Sequence, residues 1–186
     1  MPNVLTDAEK LEWFAKQEGN IPHMYLDTVG VVTVGIGTAL FTAGDASALA
    51  FVTRGTTVTA DAGTIEAEWA EVKKQAKGKL AASYKPFTRL DLPPEEVSRK
   101  FNEHIATFEE KLKAKWSGYP DFPTPAQLGL LDMIYNLGSF TDFPSFVAAV
   151  NRGDWIEAAN QCRRRGPSEN RNRETKELFE SAAQPQ

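Results

Sequence analysis

The chain has 186 residues, 41% of them hydrophobic and 25% charged, with a formal net charge of -4. That length supports one domain with a sizeable core, or two lobes sharing a helix, and the composition is that of a soluble globular protein. The acidity disfavours nucleic acid as a partner, and no apolar run approaches the roughly 20 residues that a membrane helix needs.

The first element is announced by Thr6-Asp7-Ala8-Glu9, a capping box in which hydroxyl and carboxylate satisfy each other's backbone amides. A helix therefore starts near Asp7. Leu11, Phe14 and Ala15 form its inward face, and Gly19 followed by Pro22 predicts its end. Glu18 falls on the last turn, where the negative end of the helix dipole opposes ionisation and suits a proton donor. From Met24 to Ile36, β-branched and aromatic residues broken by Thr28-Val29-Gly30 predict two short strands and a turn. Asp27 and Thr33 then lie on opposite arms of one hairpin. Gly35 and Gly37 permit close backbone approach, either to the helix or to a sugar ring. Taken singly, Asp27 reads as a turn residue, Thr33 as a strand residue and Glu18 as an exposed helix end. Taken together, they offer the acid and the opposing carboxylate that glycosidic hydrolysis requires.

Residues 38–90 begin rich in Ala, Gly and Thr and pass through Thr56-Thr57-Val58-Thr59. The spacing of Ile65, Trp69, Val72, Ala76 and Leu80 then predicts an amphipathic helix from Thr64 to Tyr84. A long helix follows over about 92–116. Pro93 and Pro94 suit its first turn and Glu95 and Glu96 its dipole, while Val97, Phe101, His104, Ile105, Phe108 and Leu112 form one apolar stripe before Ser117-Gly118. His104 on that stripe reads as a core histidine. With His23, His104 and Cys162 as the only histidines and cysteine, no metal site and no cofactor is expected. Cys162 alone also leaves no internal disulfide, which fits a reducing cytoplasm.

Thr124-Pro125 opens a third block containing the apolar run Leu128–Leu137 and ending at Gly138. Phe143, Phe146, Val147 and Val150 mark a short helix, and Gly153-Asp154 precedes another. Arg163, Arg164 and Arg165 form a local basic run, read as a solvated helix end or as a contact for sugar carboxylates or phosphates.

The run from Glu18-Gly19 through Tyr25-Leu26-Asp27 to Thr33-Val34-Gly35-Ile36-Gly37 resembles the signature of the bacteriophage-type lysozymes, glycoside hydrolase family 24, with the same spacing between Glu, Asp and Thr. Tyr135-Asn136-Leu137-Gly138, Gly153-Asp154 with Ala158-Ala159, and Asn170-Arg171 before Leu178-Phe179 are similar to later elements of that family. The resemblance covers about residues 6–38 and 92–180. Thr38 stands where many relatives carry a histidine, and 38–90 is extra relative to the short phage enzymes. The family implies an α+β, lysozyme-like fold: a small hairpin-bearing lobe (1–91, including the insertion), a linking helix (92–116) and a larger helical lobe (117–186).

The same resemblance implies a muramidase cutting the β-1,4 bond between N-acetylmuramic acid and N-acetylglucosamine in peptidoglycan. Glu18 is then the acid, Asp27 and Thr33 hold water on the opposite face with inversion, and Tyr135, Asn136 and Arg171 contact substrate. Arg171 is expected beside the catalytic glutamate, with Arg173 its rival. An inactive peptidoglycan-binding module and a lytic transglycosylase are the alternatives. The start Met1-Pro2-Asn3-Val4 has neither the basic nor the apolar region of a signal peptide. A monomer made in the cytoplasm and carried to the wall by another system is therefore expected, as a phage endolysin or a secreted antibacterial effector, with a delivery or immunity protein as a possible partner.

Overall fold

The structure, a computed structural model, describes residues 5–184. The Met1–Val4 start lies outside the described residues. The chain is α+β, with a small antiparallel sheet among a majority of helix. It divides into two compact units, Leu11–Asn102 in one and Met1–Lys10 with Glu103–Gln186 in the other. Helices α1 (Asp7–Glu18) and α4 (Pro94–Lys115) contribute residues to both.

Helix α1 forms as its caps require. The Thr6 amide donates to Glu9 Oε2 at 2.8 Å and the Glu9 amide to Thr6 Oγ1 at 3.3 Å, the reciprocal pair of a capping box. The helix ends where Gly19, at φ 78°, donates its amide to the Ala15 carbonyl. Strands β1 (Ile21–Leu26), β2 (Val32–Gly35) and β3 (Thr38–Leu40) then form a sheet in chain order. The two expected strands are present, and β3 is a third, so the residues after Gly37 continue the sheet.

Residues directly opposite on neighbouring strands share a face. Leu26, Val32 and Leu40 make one cross-strand row and are buried in the core. Tyr25, Thr33 and Ala39 make the next row, on the other face. Gly35 is required by packing: a Cβ there would stand 3.3 Å from Val97 Cγ1, and φ is +64°. The close approach that its position predicted is therefore to helix α4.

The segment after β3 folds onto this sheet. It contains α2 (Ala43–Ser47), β4 (Val52–Thr53), α3 (Ala62–Lys73), a 3-10 turn (Ala81–Phe87) and β5 (Leu90–Asp91), which pairs with β4. The expected Thr64–Tyr84 helix is corrected at both ends. It starts at Ala62 because Asp61 caps the Thr64 amide at 2.9 Å, and it stops at Lys73. Tyr84 instead donates its hydroxyl to the Ala76 carbonyl, Gly78 takes φ +80°, and Leu80 is 82% exposed. The apolar stripe ends at Val72. Arg54 holds the segment closed, donating to both Asp91 carboxylate oxygens, to the Thr88 carbonyl and hydroxyl, and to the Leu90 carbonyl.

In the other unit, α5 (Thr124–Leu137) is the buried helix, followed by α6 (Pro144–Asn151), α7 (Trp155–Gln161) and α8 (Glu169–Ala182). Helix α5 packs on α8 through Gly129, whose absent side chain makes room for Phe179; a Cβ there would lie 2.8 Å from the ring. Phe146 stacks on Phe140 and meets Phe179 edge-on, completing an aromatic core. No described helix is long and apolar enough to cross a membrane.

Candidate active site

Glu18 stands half-buried on the last turn of α1, three residues before β1. Asp27 follows β1 immediately. Its Oδ1 accepts the amides of Val29, Gly30 and Val31 at 3.0, 2.7 and 2.8 Å, and its own amide donates to the Val31 carbonyl at 2.9 Å. One carboxylate oxygen thus builds the turn, which is the ordinary role of an aspartate there. No hydrogen bond to Oδ2 is made among the described residues, so the same anchoring fixes a second oxygen that remains able to accept. The hairpin tip is itself held from α3, where Lys73 Nζ donates to the Gly30 carbonyl at 2.7 Å.

Thr33 lies on β2, 5% exposed, directly across the ladder from Tyr25. Its hydroxyl donates to the Val31 carbonyl at 3.2 Å, which leaves the oxygen lone pairs to accept. Tyr25 joins the group. Its phenol is raised above the ordinary tyrosine value, first by burial and then by the negative charges of Glu18 and Asp27. The hydroxyl therefore stays protonated and can donate. The unit Leu11–Asn102 thus holds Glu18 at the helix end, Asp27 two residues after Tyr25, and Thr33 directly across the ladder from Tyr25. Sequence reading used Tyr25 only as part of the spacing pattern; its place two residues before Asp27, on the same face of the strand, was the available signal.

Tyr135, Asn136 and Arg171 belong to the other unit. Tyr135 is half-buried, its ring 5.5 Å from both His104 and Phe108. Asn136 is exposed on the last turn of α5, before Gly138 ends the helix at φ 71°. His104 is corrected: it is exposed and packs its ring against Phe108 and Tyr135, because its position on α4 falls at the edge of the apolar stripe.

Arg171 is buried, and its Nε and Nη2 donate to Asp132 Oδ1 at 3.0 and 2.8 Å. Arg173, by contrast, is exposed on the far side of α8, beside Glu177. Arg164 corrects the reading of 163–165 as a uniform basic run. Its side chain is fully buried, donating Nη1 to the Asp132 carbonyl and Nη2 to Asp132 Oδ2 and to Thr175 Oγ1. Burial alone would push the Asp132 carboxyl up, but the Arg164 and Arg171 charges outweigh it and hold the carboxyl below its ordinary value. Nothing in the local sequence announced this cluster, since Asp132 lies 32 and 39 residues from its two arginines. Cys162 is buried as well, and burial pushes its thiol up to about 11, which makes it an unreactive packing residue.

Comparison with protein-family models, with curated proteins and with solved structures finds no match for this chain.

Proposed function

We propose that this chain is a lysozyme-like muramidase that hydrolyses the β-1,4 bond between N-acetylmuramic acid and N-acetylglucosamine in peptidoglycan. The observation that carries the reading is the hairpin after the Glu18 helix end, in which Thr33 stands across the ladder from Tyr25 and Asp27 is fixed through one oxygen only. In this account Glu18 donates its proton to the leaving glycosidic oxygen. Water enters from the opposite face, donating one hydrogen to Thr33 Oγ1 and the other to the Asp27 carboxylate, which takes the proton as the new C–O bond forms. The result is inversion at the anomeric carbon. Tyr135 and Asn136 are proposed as sugar contacts.

A non-hydrolytic peptidoglycan-binding module is the second reading. One observation favours it: the three amides on Asp27 Oδ1 already give that residue a structural purpose. Digestion of purified peptidoglycan, with released muropeptides identified by mass spectrometry, separates the possibilities. Reducing-end muropeptides support hydrolysis; anhydro products would identify a lytic transglycosylase, and no products from folded protein would leave the binding module. We further propose that the protein acts on the wall after delivery by a partner, as a phage endolysin or an antibacterial effector.

A further inference from the structure

The stretch from Val72 to Arg89 runs from the last turn of α3 through the 3-10 turn. It carries Lys73, Lys74, Lys77, Lys79, Lys85 and Arg89 and no acidic residue, in a chain whose formal net charge is -4. All six cations are exposed. Two aliphatic side chains stand in water beside them: Leu80, 82% exposed, directly after Lys79, and Val29, 71% exposed, at the tip of the hairpin. We propose that this face of the unit Leu11–Asn102 docks on an anionic lipid bilayer, with the lysines meeting headgroup phosphates and Leu80 and Val29 entering the acyl boundary. The proposal does not depend on the muramidase reading.

The parts adjoin. Lys73 Nζ donates to the Gly30 carbonyl at 2.7 Å, and a Cβ on Gly30 would stand 3.2 Å from Lys77 Cδ, so both lysines lie against the turn that holds Val29. Gly78, left-handed at φ +80°, takes the chain out of the helical path after Lys77, and Lys79 and Leu80 follow at once. Lysines at a helix end ordinarily serve its dipole, which accounts for Lys73 and Lys74. Lys77, Lys79 and Lys85 lie beyond that end. Of the six cations, Lys74 alone meets a carboxylate within ion-pair distance among the described residues. Acids on the adjoining stretches are engaged: Glu71 with Lys74, Glu68 with the Arg89 and Leu90 amides, and Asp27 Oδ1 with the amides of Val29, Gly30 and Val31. The surface therefore keeps a positive excess.

The kind of apolar group exposed selects the occupant. A surface for single-stranded nucleic acid pairs its cations with aromatic rings on which bases stack. Here the side chains that stand furthest into water are aliphatic, and Phe87, the exposed aromatic of the stretch, is only 39% exposed. Protein interfaces are depleted of lysine and gather their apolar residues into a core. Lysines around isolated, protruding aliphatics match a bilayer interface, where a charged layer overlies an apolar one and both kinds of side chain add to the attachment.

The test is sedimentation of the full chain with vesicles of phosphatidylglycerol and phosphatidylcholine in equal parts, and with phosphatidylcholine alone, in low and in high salt. Every residue changed is exposed, and circular dichroism checks that each variant is folded. We expect wild type to bind the mixed vesicles, to ignore the neutral ones, and to be released by high salt. Lys77→Gln combined with Lys79→Gln should weaken binding by more than about tenfold, and Leu80→Ser by about fivefold. Lys176→Gln, in the other unit, should change it by less than about twofold. Wild type that ignores the mixed vesicles overturns the proposal and leaves the surface to an acidic protein. Leu80→Ser that binds them as wild type does also overturns it, because attraction without insertion is what a soluble polyanion would receive.

Discussion

Asp132→Ala is the most severe single change that the helical unit offers. The Asp132 side chain is fully buried between two guanidiniums, with the Arg164 side chain 0% and the Arg171 side chain 8% exposed. Its removal deletes a hydrogen bond from Arg164, two from Arg171 and one from Thr175, and takes away the carboxylate that the two buried cations share. Arg164 keeps its bonds to the residue-132 carbonyl and the Thr175 hydroxyl, but these are neutral partners, and its Nε is already without a hydrogen-bond partner among the described residues. Breaking a buried ion pair costs about 3–5 kcal/mol, because the surviving charge loses its counterion. Against a total stability of about 5–15 kcal/mol for a protein this size, the loss is a large fraction. It corresponds to a melting-temperature drop of roughly 6–20 °C. Equilibrium urea unfolding followed by circular dichroism reads it directly. A loss below about 1 kcal/mol would refute the view that the cluster holds α5, α8 and the turn before α8 together. The pH profile supplies a second check. Because the folded carboxyl is held below its ordinary value of 3.8, its contribution is present above that pH and fades as pH falls through the lowered value. The variant should lose this acid-dependent component.

Gly129→Ala should destabilise the same unit by about 1–3 kcal/mol, since the new methyl meets a fully buried Phe179 ring; Phe179→Leu in the same background should recover part of the loss, and thermal melts of the two compare them. His23 is buried with its Nε2 3.0 Å from the Ala81 carbonyl, and burial lowers its pKa from 6.5 despite that contact. The neutral form is therefore favoured by folding, so its contribution is present above pH 6.5 and lost as pH falls through the lowered folded value. Melting temperature should drop on acidification below pH 6.5, and His23→Asn should flatten that part of the curve.

What the sequence made legible was local. The Thr6–Glu9 capping box, the glycine stop before β1 and the turn at Asp27 each involve residues no more than four apart, and each is found with the expected partners. Strand β3 was missed because Thr38-Ala39-Leu40 has neither the length nor the β-branched content of a strand; it forms because β2 offers an edge to pair with. The end of α3 was overrun because Ala76 and Leu80 continue the helical spacing, whereas the tertiary bond from Tyr84 to Ala76 and the left-handed Gly78 decide the backbone there. Arg164 was read from its charged neighbours, yet a buried partner 32 residues away draws it inside. The catalytic candidates were legible as a spacing, and the placement of Thr33 across from Tyr25 emerges only when the hairpin pairs.

The measurement that bears most directly on the central claim is peptidoglycan turnover by Glu18→Gln, compared with wild type under conditions where circular dichroism shows the two equally folded. General acid catalysis contributes about 10²–10⁴ in rate, so the account predicts that turnover falls at least about a hundredfold. Turnover within twofold of wild type would contradict it, because no other residue in the account donates the proton to the leaving oxygen.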